Sequence, residues 1–160
     1  MKFLWAPWRL NFILNEKEKG CVFCAKVAEN DDRKNLILHR GKLNYIILNL
    51  FPYNNGHLMV VPYRHFGDLT ELTADEGAEM MALTQKSVAA ITERFHPQGF
   101  NVGMNLGAAA GAGIADHLHM HLVPRWNGDT NFMPVLAETK VMPQHIESTY
   151  DSLKEVFSRF

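Results

Sequence analysis

Three histidines, His117, His119 and His121, occupy alternate positions in one short segment, with Leu118 and Met120 between them. Alternation with a period of two predicts a β-strand, so all three imidazoles should share one face, about 6.6 Å apart. Imidazole is the side chain best suited to proton transfer, nucleophilic attack or metal binding near neutral pH. With 8 histidines in 160 residues, chance rarely produces this register, and we predict a functional site here rather than a solvated strand face.

Two other segments carry residue types that could do chemistry. Cys21 and Cys24 have the C-x-x-C spacing of half a zinc site, although a tetrahedral site needs two more ligands. Residues 105–113 (NLGAAAGAG) form a loop of Gly and Ala before the histidines, and backbone N–H groups in such a loop can approach a phosphate closely. Alone, this loop favours a plain tight connection; beside three aligned imidazoles it favours a phosphate site.

The elements that must position these segments follow an α+β pattern. Apolar and alternating runs predict five strands, at residues 35–39, 45–50, 57–62, 100–106 and 117–124. Thr73, followed by two acidic residues, predicts the start of one long helix that extends to about Phe95, and a final amphipathic helix is expected over about 144–157. Because the first three strands are consecutive, we predict a mainly antiparallel five-stranded sheet.

Length and composition limit the classes of function. The 160 residues fit a single domain, with an N-terminal arm over about residues 1–20 and a C-terminal tail helix over about 143–160. A formal net charge of −1 argues against a broad nucleic-acid surface. No apolar run is long enough to cross a membrane, and the first residues are not typical of a signal peptide. We therefore expect a cytoplasmic protein without a structural disulfide.

Two motifs together resemble a known family. Residues 117–123 (HLHMHLV) match the signature His-φ-His-φ-His-φ-φ, in which φ is apolar. Residues 49–52 (NLFP) and 56–62 (GHLMVVP) are similar to the second segment of the same family. Over about residues 21–125 the chain resembles the histidine triad (HIT) nucleotidyl hydrolases and transferases. The resemblance implies a HIT-like fold and cleavage of a nucleotide phosphoanhydride through a nucleotidyl-histidine intermediate.

A narrower resemblance extends to both sides of these motifs. Residues 4–9 (LWAPWR) and 124–132 (PRWNGDTNF) are similar to a bacterial subgroup that includes diadenosine tetraphosphate (Ap4A) phosphorylases. It implies an adenine dinucleotide or an AMP conjugate as substrate, with water or inorganic phosphate as the acceptor. The family also implies a homodimer, which agrees with aromatic residues near both termini that we expect to be exposed and covered by a second subunit: Trp5, Trp8, Phe157 and Phe160.

The resemblance implies a role for each matching residue. His119 would attack the α-phosphorus, while His121 and His57 would contact the phosphate or the leaving group. Asn49 would bond the ribose hydroxyls. The implied phosphate-binding groups are Asn105 and the main-chain amides of Gly111, Ala112 and Gly113. Without the family, the two asparagines would be interpreted as loop-capping amides.

One departure from the family pattern concerns the loop before the triad. Many members carry Gln and then Ser or Thr where this chain has Ala112 and Gly113. Side-chain donation to the leaving phosphate is then missing, so main-chain amides must contribute more. The shorter side chains leave room for inorganic phosphate in place of water, which is a hypothesis about the second step.

The resemblance also implies a structural zinc. Some similar HIT proteins complete the cysteine pair with the His after the Val-x-Pro strand and the first triad His, which here are His65 and His117. The predicted ligand set is thus Cys21, Cys24, His65 and His117, and it would pin the N-terminal segment to the catalytic strand. The alternative is that both thiols pack as small hydrophobes and His65 lies on the surface.

Three other functions stay open at this point. A zinc hydrolase or hydratase could use the triad itself as metal ligands, although the only nearby carboxylate, Asp116, should point to the opposite face from His117. A non-catalytic nucleotide-binding module could act through the aromatic arm. An adenosine phosphoramidate hydrolase would use the same nucleophile on a smaller substrate.

Overall fold

The computed structural model describes residues 20–129 and 142–160. The described helices are α1 (Val22–Ala28), α2 (Ala74–Phe95) and α3 (Ile146–Phe157). The strands are β1 (Ile37–Arg40), β2 (Asn44–Leu48), β3 (Leu58–Pro62), β4 (Gly99–Gly103) and β5 (Met120–Arg125). Short 3-10 helices lie at Leu69–Glu71 and Ala108–Ala110. The predicted N-terminal arm, with Trp5 and Trp8, lies outside the described residues.

The five strands form one sheet in the order β1-β2-β3-β5-β4, and every neighbouring pair is antiparallel. The predicted α+β class and five-stranded sheet are confirmed. All five residues of β3 are buried, as expected for a continuous apolar strand inside a sheet that is covered on both faces. The pairing of β3 with β5 sets Met59 opposite His121, so residues just before β3 reach the histidine segment.

The two faces of the sheet bury different clusters. Helices α2 and α3 cover one face, where Ile91 and Leu153 pack with strand residues such as Val60. The expected exposure of Phe157 is wrong, because the apolar face of α3 places it in this cluster, whereas Phe160 is exposed. On the other face, Phe23 of α1 packs with a second buried group of strand side chains: Ile37, Tyr45, Ile47, Met59 and Val61. The Phe23 ring also lies 5.4 Å from His117 and 5.1 Å from His119, centroid to centroid. The histidines therefore belong to the α1 face, as the alternation predicts.

The bounds of α2 follow from its sequence. The Thr73 hydroxyl accepts from the Glu76 N–H, and the Glu76 carboxylate accepts from the Thr73 N–H, which closes a capping box. The helix ends where His96 adopts a left-handed conformation (φ 48°), just before Pro97. The prediction of one long helix from Thr73 to about Phe95 is confirmed.

Two of the predicted strands extend three residues beyond one end of the observed strand. Strand β5 begins at Met120 rather than at His117, because the β3–β5 register would place Leu118 opposite Pro62, which has no N–H to donate. Leu118 instead donates its N–H to the carbonyl oxygen of Phe66, at 2.6 Å. Strand β4 ends at Gly103, whose partner is His121, and not at Leu106.

Helix α1 was not predicted, since it spans only seven residues and six of them are apolar, so its sequence shows no amphipathic period. None of the described helices combines the length and apolarity needed to cross a bilayer.

Candidate active site

His119 has one ring nitrogen fixed by the main chain. Its Nδ1 lies 2.8 Å from the carbonyl oxygen of His117, and because a carbonyl only accepts, Nδ1 carries the proton. Burial lowers the pKa of His119, and the hydrogen bond to the carbonyl only partly opposes that shift. The imidazole is therefore neutral near pH 7, with its lone pair on Nε2. These are the two requirements of a histidine nucleophile.

His57 and His121 form a second pair with fixed protons. The Tyr53 main-chain N–H donates to His57 Nδ1 at 3.0 Å, so the His57 proton resides on Nε2. That nitrogen lies 3.0 Å from His121 Nδ1, to which it donates. His121 then keeps its own proton on Nε2, and burial lowers its pKa to about 4, so it stays neutral. The His121 ring, which carries this N–H, lies with its centroid 4.8 Å from that of the His119 ring.

The structure places Asn49 beside His57, and Asn105 two residues after Gly103, the strand partner of His121. Asn49 Oδ1 accepts from the Phe51 N–H at 2.9 Å, which turns its amide nitrogen toward His57 Nε2, 3.4 Å away. His57 Nε2 carries a proton and donates it to His121, so it cannot accept from Asn49. The amide nitrogen of Asn49 and Nε2 of His57 are therefore two neighbouring hydrogen-bond donors. Asn105 is half-buried and follows β4, whose last residue pairs with His121.

The Gly/Ala loop forms a tight turn of its own. Gly107 and Gly111 have positive φ angles of 79° and 88°, a region in which glycine is favoured. The Gly111 N–H donates to the Ala108 carbonyl at 3.0 Å, and the Ala112 N–H donates to the Gly107 carbonyl at 3.4 Å. Two of the three predicted phosphate-binding amides are thus used inside the turn, which makes Gly113 the strongest of the three candidates.

The predicted metal ligands Cys21, Cys24, His65 and His117 lie together. Their ligand atoms all fall within 4.8 Å of one another. His117 Nδ1 lies 3.2 Å from Cys21 Sγ, 3.6 Å from Cys24 Sγ and 3.2 Å from His65 Nδ1. Zinc bonds of about 2.0–2.3 Å in a tetrahedron require ligand separations of roughly 3.3–3.8 Å. The three separations from His117 Nδ1 lie close to that range, and two thiols with two imidazoles are a donor set that suits zinc.

His117 is oriented for this cluster and not for the reaction. Its Nε2 donates to the Pro62 carbonyl oxygen at 2.8 Å, which leaves the Nδ1 lone pair directed at the thiols. Four protein ligands leave no open coordination position, which is typical of a structural zinc. Within residues 20–129 and 142–160, His119 and His121 belong to no metal-ligand group, so a catalytic metal held by the triad is disfavoured.

Sequence reasoning missed two aromatic contributors to the site and a cleft that adjoins it. Phe23 packs on two of the triad rings, and Tyr53 stacks on His57 with ring centroids 4.8 Å apart. A cleft of about 200 Å³ also opens beside Asn49 and His57, with the first turn of α3 as its other wall. Its polar wall residues on that side are Gln144, His145 and Thr149. For Phe23, the one signal available in the sequence was an aromatic residue directly before the second cysteine.

Comparisons with known proteins agree with this geometry. A family model described as the HIT domain matches residues 30–128. The chain is 43% identical to an AP-4-A phosphorylase of Mycobacterium tuberculosis over 164 residues, which covers 98% of this chain and 84% of the relative. It is 27% identical to an adenosine 5'-monophosphoramidase of Schizosaccharomyces pombe, covering 81% of this chain and 86% of that protein.

A solved structure extends the comparison to the fold. The crystal structure of a Zn-bound histidine triad family protein from Mycobacterium smegmatis matches with a TM-score of 0.71 and 29% identity. The match covers 88% of this chain and 94% of that one.

Proposed function

The chain belongs to the HIT domain family, and from this membership we propose that it is an enzyme that cleaves Ap4A through a nucleotidyl-histidine intermediate. The 43% identity with an AP-4-A phosphorylase supports the substrate. The observation that carries the proposal is the proton arrangement at the triad: the hydrogen bonds leave a lone pair on His119 Nε2 and a proton on His121 Nε2, in rings whose centroids lie 4.8 Å apart.

In the first step, His119 Nε2 attacks the α-phosphorus, and the bond from that phosphorus to the bridging oxygen breaks. His121 donates a hydrogen bond from Nε2 to the departing oxygen, where negative charge develops. ATP leaves, and AMP stays bonded to His119. The neutral state of both imidazoles favours this step, since a protonated His119 would have no lone pair.

In the second step, an acceptor attacks the same phosphorus and releases His119. Inorganic phosphate gives ADP, whereas water gives AMP. We propose phosphate, because the relative with 43% identity is a phosphorylase and because Ala112 and Gly113 leave space where many family members carry larger polar side chains.

Other residues of the site would hold the nucleotide. We assign the ribose hydroxyls to Asn49, whose amide nitrogen faces the same space as His57 Nε2. We assign phosphate oxygens to Asn105 and to the Gly113 amide, with Gly111 and Ala112 shaping the turn that presents it. Hydrogen bonds from uncharged groups can hold the phosphates of a dinucleotide on a protein whose formal net charge is only −1.

We also propose that the cluster of Cys21, Cys24, His65 and His117 holds a structural zinc ion. The ligand separations and the His117 tautomer support this assignment, as does the Zn-bound relative from M. smegmatis. The ion would join α1 to the triad segment and supply no group to the reacting phosphorus.

A second candidate function is hydrolysis of an adenosine phosphoramidate. The S. pombe relative, at 27% identity, carries the name of that activity. The same nucleophile and donor would serve, since only the leaving group differs.

Product analysis tests the proposal. The protein is incubated with Ap4A, with and without inorganic phosphate, beside His119→Ala and a control, His96→Asn, which removes an exposed histidine at the end of α2. We expect ADP and ATP only when phosphate is present, with at least about a 1,000-fold loss for His119→Ala and none for His96→Asn. AMP and ATP without phosphate would make the enzyme a hydrolase. Turnover of a phosphoramidate alone would favour the second candidate, and full activity of His119→Ala would refute the nucleophile.

The homodimer, the single-domain organisation and the cytoplasmic location stay predictions. Small-angle scattering at micromolar protein measures the first of these directly, and a monomeric mass would contradict it.

A further inference from the structure

The turn that follows β5 contacts the turn that carries His57. Asp129 closes the Trp126–Asp129 turn, where its N–H donates to the Trp126 carbonyl at 3.1 Å and Gly128 supplies the required positive φ of 79°. The Asp129 carboxylate accepts from the Trp126 N–H at 3.1 Å and pairs with Arg125 in bidentate fashion at 2.7 and 2.8 Å. Its side chain is only 10% exposed, so these charge-assisted bonds hold it firmly.

Asp129 also reaches a residue far away in sequence. Asn54 donates from one amide nitrogen to Asp129 Oδ2 at 2.8 Å and to the Pro124 carbonyl at 3.0 Å. The Asn54 side chain is buried, with the residue 7% exposed, so neither contact competes with much water. The turn that contains Asn54 is thus attached to the end of β5.

From Asn54 the contacts lead directly to the catalytic histidines. The Asn54 carbonyl accepts from the His57 N–H at 3.1 Å, which fixes the His57 main chain. The neighbouring Tyr53 N–H donates to His57 Nδ1 at 3.0 Å, which fixes its ring and its tautomer. His57 Nε2 then donates to His121 Nδ1 at 3.0 Å. Displacement of this turn would change both the position of His57 and the nitrogen that carries its proton.

We propose that Asp129 is a positioning residue of the site, which acts through Asn54 and the 53–57 turn to hold His57 in the tautomer that donates to His121. In this role, the Trp126–Asp129 turn supports the catalytic histidines without contacting the substrate. The kinetic test of this inference rests on the proposed function, because it needs a substrate. The NMR test of the His57 tautomer needs none and does not depend on that function.

Kinetics of two variants test the proposal. Asn54→Ala removes both side-chain contacts, and Asn54→Asp keeps the shape but replaces the donor by a carboxylate that faces Asp129. We expect each to lower kcat by roughly 10- to 100-fold with KM changed no more than about twofold, because orientation fails while the nucleotide still binds. The matched control is Gln98→Ala. Gln98 Oε1 accepts from the Asn127 N–H of the Trp126–Asp129 turn at 2.7 Å, so this substitution also removes a contact of that turn. It should leave kcat unchanged, because Gln98 does not contact Asn54.

A second background separates positioning from general structural damage. In a His57→Gln protein, Asn54→Ala should cause no further loss of kcat, since the residue through which it acts is gone. An equal loss in the presence and absence of His57 would overturn the proposal.

Nitrogen NMR of the imidazoles provides the readout that needs no substrate. We expect His57 in the wild-type protein to carry its proton on Nε2 alone, and both Asn54 variants and Asp129→Ala to show a mixture of tautomers, with Gln98→Ala unchanged. An unaltered tautomer in folded Asn54→Asp would refute the inference. If the wild type turned over neither Ap4A nor a phosphoramidate, the proposed function would fail while the NMR result still decided the role of Asp129.

Discussion

His119 donates its Nδ1 proton to the main-chain carbonyl of His117, a residue that belongs to the candidate zinc cluster through its side chain. One residue therefore orients the nucleophile with its backbone and contacts two thiols with its ring. The His117 ring is itself held by the Pro62 carbonyl at 2.8 Å. The position of the nucleophile therefore depends on the main chain between His117 and His119, and so on the cluster that holds the His117 side chain. His119 itself is not one of the candidate metal ligands.

The first prediction is that metal removal destabilises the protein. A chelator should lower the melting temperature by roughly 5 °C or more, because an ion that binds only the folded chain adds its binding free energy to stability. Elemental analysis should find about one zinc per chain in the wild type. Differential scanning calorimetry with added zinc gives the measurement, and zinc should restore the melting temperature.

Cys24→Ser provides the comparison for this experiment. It should hold less zinc and show a melting temperature that neither chelator nor added zinc changes. Equal zinc content in Cys24→Ser and the wild type would place the ion elsewhere.

The sequence predicts those parts of the site that depend on local spacing. The shared face of the three histidines follows from a period of two, and the start of α2 follows from Thr73 and Glu76. His65 lies 41 residues from Cys24 and His117 lies 93 residues from it, so only the family resemblance could join them. The residue types show which side chains can bind zinc, but the sequence spacing does not show which distant side chains come together in one site.

The proton arrangement could not be predicted from the sequence in the same way. The His57 tautomer depends on the main-chain N–H of Tyr53, and any non-proline residue at that position carries the same donor. The contact of Asn54 with Asp129 spans 75 residues and requires both turns to be formed. Asparagine and aspartate in turns usually serve local hydrogen bonds, which conceals such a long-range role.

The second prediction concerns stability in mild acid. Burial lowers the pKa of His121 to about 4, whereas the unfolded chain titrates near 6.5. Between these values the unfolded chain binds a proton that the folded chain does not. The free energy of unfolding should therefore be constant above about pH 6.5 and fall as the pH decreases toward 4. Burial lowers the pKa of His119 and His39 as well, which adds to the fall.

Urea unfolding at several pH values between about 4.5 and 7.5 measures this fall. His121→Gln should show a shallower decrease than the wild type, since glutamine keeps a donor and an acceptor but does not titrate. Identical pH dependence in the two proteins would show that His121 does not contribute.

The third prediction concerns Glu79, whose carboxylate closes the turn between β1 and β2. It accepts three main-chain N–H bonds at 2.7 Å, from Lys42, Leu43 and Asn44, and a fourth at 2.9 Å from the Asn44 side chain. Gly41 is required beside it, because a Cβ there would lie 2.7 Å from the Asn44 carbonyl oxygen. Glu79→Ala should lower the free energy of unfolding by about 1–3 kcal/mol, since four donors lose their acceptor.

Glu93→Ala, on the same helix, is the matched control. Glu93 forms an ion pair with Arg159 in which both side chains are more than half exposed, at 55% and 56%, so its loss should cost less than about 1 kcal/mol. Chemical denaturation of both variants measures the difference, and kcat of Glu79→Ala should stay near the wild-type value because the turn lies at the far end of β2 from Asn49. Equal destabilisation by the two substitutions would mean that water replaces the Glu79 carboxylate at these donors, and that the turn is held by its backbone alone.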